Sequence, residues 1–152
     1  MKRGTLAVVL ACVVGITLGV GAFTFVYAKG FSYLSTDPRA CVNCHVMNTQ
    51  YEGWLKSGHR HTATCVECHL PHAGLAKWVA KSEHGVRHSA AFTLQNFKEP
   101  IEITPRDRDI VRDNCLRCHE ALIHAVAEAP GRKQGALDCM HCHAGVGHDA
   151  GG

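Results

Sequence analysis

The chain opens with one uninterrupted apolar stretch. From Gly4 to Ala28 no residue carries a charge, and Val, Leu, Ala, Gly and Phe dominate. Coiled as a helix, that stretch extends about 37 Å at ~1.5 Å per residue, enough to cross a ~30 Å hydrocarbon layer with some tilt. Lys2 and Arg3 precede it, and only Lys29 follows closely. By the positive-inside rule the N-terminus stays in the cytoplasm and the rest of the chain is exported. The competing reading is a cleaved signal peptide, because Val26-Tyr27-Ala28 makes a passable small-residue cleavage site. The run is far longer than the ~7–15 apolar residues of a signal-peptide core, which favours an uncleaved anchor.

Beyond the anchor the pattern changes. Residues 30–40 are linker-like and end in the Asp37-Pro38 turn signal. The segment 74–97 predicts a helix, weakened at Gly85. Residues 99–106 carry two prolines and predict a loop. The segment 107–129 predicts a second helix, ended by Pro130-Gly131. The glycine-rich tail 144–152 predicts loose chain except where His148 is tied down. Two domains follow: an anchor over residues 1–29 and an exported domain over 30–152.

Composition narrows what the exported domain can be. Aromatic residues make up only 7% of the chain, too few for a large aromatic core. The net charge of +3 is small and spread out, which argues against a nucleic-acid surface. Nine cysteines and twelve histidines are the outliers. An odd cysteine count, with pairs only three positions apart, does not suit a disulfide framework that must close long loops. Cys12 lies inside the apolar run and reads as a small filler.

The other eight cysteines form four CxxCH runs: Cys41-Val-Asn-Cys44-His45, Cys65-Val-Glu-Cys68-His69, Cys115-Leu-Arg-Cys118-His119 and Cys139-Met-His-Cys142-His143. Cys41 to Cys65 and Cys115 to Cys139 are both 24 residues apart, which suggests a duplicated unit. CxxCH is the attachment motif of c-type haem. Two thiols at that spacing reach the two vinyl groups on one porphyrin edge, and the adjacent imidazole swings onto the iron from the same side. A zinc site of four thiolates would explain the cysteines, but not a histidine after every second one. A thioredoxin-like role would need one exposed pair and a βαβ pattern. Four covalently bound haem c groups on so short a domain must form much of its core. The expected fold is mostly α with much irregular loop: one transmembrane helix plus a small tetrahaem cytochrome c domain built around stacked haems.

His69, His119 and His143 are the expected proximal ligands. Eight further histidines lie outside the fifth motif position, and four irons need at most four distal ligands. His141 lies inside a motif and has little freedom. His59, on a polar turn before the second motif, and His148, after a glycine-rich turn, are favoured; His61, His124 and His72 follow. The first motif runs on as His45-Val46-Met47. The two candidate ligands are too close in sequence to reach opposite faces of one ring, and the residues alone leave His45 and Met47 even. A thioether ligand would raise the reduction potential.

The segments CVNCHVMNTQY, TCVECHLPH, KSEHGVRHSAAFTLQNF and NCLRCHE, behind an N-terminal anchor, resemble the NapC/NirT family of membrane-bound quinol dehydrogenases, and within it the branch serving cytochrome c nitrite reductase. The resemblance implies a protein of the cytoplasmic (inner) membrane whose haem domain lies in the periplasm. It implies oxidation of menaquinol and delivery of electrons to a pentahaem nitrite reductase catalytic subunit that makes ammonia. It also implies that Met47 takes the first iron and that the quinol binds beside that haem. Relatives place a lysine and, seven positions on, an acidic residue near the pocket. The matching spacing here is Lys81 to His88, so the acid is replaced by histidine, with Glu83 and His84 as nearby alternatives. A lysine from the partner subunit can serve as an axial ligand in this family.

That assignment has its own physical logic. Cys41 is only 13 residues beyond Ala28, so the first haem stays close to the bilayer and a quinol can approach it from the lipid. A histidine with an ordinary pKa near ~6.5 can take a quinol proton at neutral pH, and Lys81 can hydrogen-bond a quinol oxygen. The alternative is a plain electron-transfer module without a quinol site, feeding another periplasmic reductase such as nitrate reductase.

Overall fold

The apolar stretch forms α1, Arg3–Tyr27, a helix of 25 residues. Its most apolar 18 residues have a mean hydropathy of 2.5, and none of its residues is buried. Leu6, Val9, Val13, Ile16, Leu18 and Phe23 present apolar surface on every side. A helix apolar all round is suited to a core or a membrane, and this one is long and apolar enough to cross a bilayer. Thr17 keeps its hydroxyl satisfied by donating to Val13 O at 2.8 Å. The helix stops where Lys29 turns left-handed, at φ 51°, and donates its N–H to Val26 O at 3.0 Å. Gly30 follows, where a Cβ would lie 2.3 Å from the Phe25 ring and push it aside. That ring meets Phe31 edge-on at 5.0 Å.

In this computed structural model, residues 3–127 and 138–148 are described. The chain divides into two compact units, Met1–Ser35 and Thr36–Gly152. Residues expected to be linker are more ordered than their composition suggests. Gly30–Leu34 and Pro38–Asn43 are 3-10 helices. Asp37 caps the second by accepting from the Arg39 N–H at 2.8 Å and from the Arg39 guanidinium at 2.6 Å.

The second unit is helical, with no strand among the described residues. A 3-10 turn, His45–Met47, leads into α2, Asn48–Lys56. Tyr51, Trp54 and Leu55 recur at helical spacing along it. Trp54 pins it by donating Nε1–H to Ala63 O at 2.9 Å. Next come α3, Cys65–His69, and α4, Gly74–Thr93. The sequence places the end of α4 at residue 97; it ends four residues earlier. Gln95 turns left-handed at φ 54°, its side chain caps Phe92 O at 2.7 Å, and Phe97 folds back onto Phe92 at 4.6 Å. That closure gives the carbonyls of Ala90, Ala91 and Phe92 partners from Leu94, Asn96 and Gln95.

The second long helix, α5, spans Pro105–Ala127 and starts earlier than the expected residue 107. Pro105 takes the first helical position, where a missing N–H costs nothing. Thr104 Oγ1 accepts from the Asp107 N–H at 3.2 Å. The expected continuation to residue 129 and the Pro130-Gly131 stop lie outside the described residues. Last comes α6, Cys139–Cys142. α3 packs on α5, where Asn114 Nδ2 donates to Cys68 O at 2.8 Å and Leu70 O at 2.9 Å. Among the described residues the buried apolar core is Leu70 and Ala80 alone. A domain of this size cannot fold on so little polypeptide core.

Candidate functional site

The four motifs occupy different local structures. Cys41 lies within the 3-10 helix Pro38–Asn43 and Cys44 stands between it and the next turn, while α3 carries Cys65, Cys68 and His69. Cys115, Cys118 and His119 lie mid-way along α5. Cys139 and Cys142 make α6, with His143 as its C-cap. Cys44, Cys118 and Cys142 are exposed; the other motif cysteines are half-buried.

The motifs also neighbour one another in chain order. As free thiols, Cys41 is lowered to about 7, first by a hydrogen bond with Cys65; burial opposes this, and the Lys81 ammonium adds to the lowering. Cys65 is pushed up by the same bond. Burial raises Cys68, and behind it the charges of Glu67 and Cys118. Cys115 is raised by burial and then by Cys139 and Cys68. The first motif therefore touches the second, the second meets the third, and the third approaches the fourth.

Two motif histidines each face a second histidine across a fixed gap. The His69 and His148 ring centres are 6.1 Å apart, and those of His119 and His59 are 6.2 Å apart. Metal–imidazole bonds of ~2.0 Å, with about 1.2 Å from each nitrogen to its ring centre, put two imidazoles sharing one metal roughly 6 Å apart. Both pairs match. Burial above all lowers His69 to about 4, and burial also lowers His148, so both rings are neutral at pH 7, the form that ligates a metal. His148 Nδ1 is buried without a hydrogen-bond partner. The donor set, the ring spacing and the thin core all fit covalently bound haem c.

The remaining candidates are placed differently. His45 is exposed and Met47 is half-buried. His61 Nε2 accepts from the Arg60 guanidinium at 2.9 Å. His72 Nε2 donates to Glu67 O at 3.1 Å. His124 is exposed, 3.9 Å from Glu120. His141 is exposed within α6. Among the described residues no second histidine ring pairs with His45 or His143.

Lys81, His84 and His88 recur along one face of α4 at spacings of three and four. Lys81 lies 5.5 Å above the Trp78 ring. Burial first, then Lys77, lowers its pKa, while Cys41 opposes. The rings of His84 and His88 are 5.9 Å apart and nearly parallel. His84 Nε2 donates to Asp107 Oδ1 at 2.8 Å, and Arg87 donates to Oδ2 at 3.1 Å. Burial first, then His84 and Arg87, lower the pKa of His88. Glu83 is held by an ion pair with Arg106.

Sequence reasoning missed Asp107, the one buried charged residue among those described. Its burial works to raise its pKa, but hydrogen bonds from Thr104, His84 and Arg87 prevail and hold it at about 2. The Thr104-x-x-Asp107 spacing is a legible capping pattern; nothing in it points to His84. Asn114 and the Val146 carbonyl, 3.3 Å from His59 Nδ1, were equally unsignalled.

Comparison with known proteins agrees with this picture. Residues 1–151 match the family model described as the NapC/NirT cytochrome c family, N-terminal region. The chain is 39% identical over 145 residues to the cytochrome c-type protein NrfH of Wolinella succinogenes, covering 90% of this chain and 82% of the relative. It is 36% identical over 135 residues to the cytochrome c nitrite reductase subunit NrfH of Nitratidesulfovibrio vulgaris, covering 88% and 80%. A crystal structure of the cytochrome c nitrite reductase NrfHA complex bound to the HQNO inhibitor contains a similar chain. The match has a TM-score of 0.62 at 30% identity and covers 90% of this chain and 88% of that one.

Proposed function

The chain belongs to the NapC/NirT cytochrome c family, and from that premise we propose that it is a membrane-anchored tetrahaem subunit that oxidises menaquinol. Its electrons go to the pentahaem catalytic subunit of a cytochrome c nitrite reductase, which reduces nitrite to ammonia. In this reading α1 is the anchor, with the N-terminus in the cytoplasm and the haem domain in the periplasm. Bound haem c supplies iron that cycles between ferric and ferrous states, one electron at a time.

Cys41 and Cys44, Cys65 and Cys68, Cys115 and Cys118, and Cys139 and Cys142 hold the four groups as thioethers. Met47, rather than the exposed His45, is the ligand in the first motif. His69 pairs with His148 and His119 with His59, as their ring spacings support. His143 serves the fourth motif. The engagements of His61 with Arg60 and of His72 with Glu67 make both poorer ligands.

The observation that supports a quinol site is the one face of α4 that carries Lys81, His84 and His88, with the two imidazoles 5.9 Å apart and His84 anchored on Asp107. Menaquinol gives up two electrons and two protons. Lys81 binds a quinol oxygen and steadies negative charge as the first proton leaves. His88, kept neutral by burial, and His84 one turn earlier accept the protons. Glu83, engaged by Arg106, is the weaker acceptor.

The test uses the anchored holoprotein co-purified with its reductase. Lys81→Gln and His88→Gln should lower menaquinol-analogue-driven nitrite reduction at least tenfold, roughly 1.4 kcal/mol or more in barrier, while dithionite still reduces all four haems. HQNO should perturb the spectrum of one haem. Undiminished quinol turnover in both variants, with spectra indifferent to HQNO, would leave the plain electron-transfer module. Co-purification of a different reductase would sink the nitrite assignment alone.

A further inference from the structure

The short segment after the fourth motif reaches two different histidine pairs. His148 stands 6.1 Å from His69, ring centre to ring centre. Two residues earlier, the Val146 carbonyl oxygen lies 3.3 Å from His59 Nδ1, a contact that spans 87 positions in sequence. His59 in turn stands 6.2 Å from His119. The segment is rooted in the fourth motif, since the Val146 N–H donates to His143 O at 3.2 Å.

A carbonyl oxygen only accepts hydrogen bonds, so His59 Nδ1 carries the ring proton. The lone pair is then left on Nε2, the nitrogen on the other side of the ring. We infer that residues 146–148 form a clasp serving two haems at once: His148 is an axial ligand of the second-motif haem, and the Val146 carbonyl orients His59 on the third-motif haem. The inference rests on the two ligand pairs proposed above. Val146 is a positioning residue, acting through the imidazole it holds.

A backbone acceptor on the far ring nitrogen makes an imidazole a stronger donor to its metal and fixes its plane. The Val146 carbonyl gives His59 that acceptor. A stronger donor favours ferric iron, so the carbonyl lowers the potential of the third-motif haem. Gly147, between the two contacts, has open space where a Cβ would be, so the neighbours of the clasp do not wedge it in place. Its position comes from its root at His143 and its two ends.

The experiment compares three variants of the full-length holoprotein in detergent by EPR and potentiometric titration. His148→Ala should cost the second-motif haem its low-spin signal and leave the g-values of the third-motif haem in place. A chain ending at Gly145 should show that same loss and, in addition, moved g-values and a raised midpoint for the third-motif haem. If truncation changes only what His148→Ala changes, the clasp is refuted. His59→Ala should make the third-motif haem high-spin; an unaltered signal there would overturn the ligand pairing itself, a failure distinct from that of the clasp. If the truncated chain does not mature with four haems, proton ENDOR on the His148→Ala protein decides. An exchangeable, hydrogen-bonded Nδ1 proton on the His59 ring supports the clasp, and its absence refutes it.

Discussion

Asp107 receives one donor each from Thr104, His84 and Arg87, with Thr104 at 2.5 Å. Its folded pKa of about 2 lies below the ordinary 3.8. A carboxylate depressed in this way stabilises the fold at any pH above its unfolded value, and that stabilisation drains away as pH falls through the folded value. Acid titration followed by circular dichroism should therefore show a loss of stability between pH 3.8 and about 2. Asp107→Asn should flatten this limb and cost roughly 2 kcal/mol at pH 7, at ~1.36 kcal/mol per pKa unit. An unchanged acid limb would mean that the three donors are held by something else. Met47 belongs to the same scale: Met47→Ala should alter one haem spectrum and spare three, and no change at all would return the ligand role to His45. The four CxxCH motifs are legible in the sequence because their spacing is local. That His59 lies near His119 and His148 near His69 is not legible, since it depends on how distant segments meet.

α3 has only five residues, too few to hold a helix without outside support. Thr64 secures its start by donating its N–H to Glu67 Oε2 at 2.7 Å, and Asn114 of α5 secures its end through two carbonyls. Asn114→Ala leaves both carbonyls short of a partner and should cost about 1–3 kcal/mol. A thermal melt should show the lower midpoint with all four haems still attached; an unchanged midpoint would deny the clamp its role. The long helices were legible as elements, and their ends less so. α4 stops early because a glutamine accepts a left-handed turn, and α5 starts early because proline suits a first turn. α2 is a short helix whose stripe of Tyr51, Trp54 and Leu55 spans barely one turn, too little to stand out from the sequence, and the Trp54 indole holds it in place.

The division of the whole chain after Ser35 gives a prediction about the anchor. Replacing residues 1–29 with a cleavable signal peptide should release a soluble protein whose haem spectra match the parent, but which no longer couples membrane menaquinol to nitrite reduction. Altered spectra would show that the haem domain depends on the anchor to fold. What was legible at this scale was the apolar run and the spacing of the motifs.

The adjacency of the cysteine motifs in chain order, Cys41 by Cys65, Cys68 by Cys118 and Cys115 by Cys139, has a circuit-like consequence. Carriers held on neighbouring motifs would behave as resistors in series, and the slowest link would set the current. A break at one position would then leave the upstream carriers charged while those downstream drain.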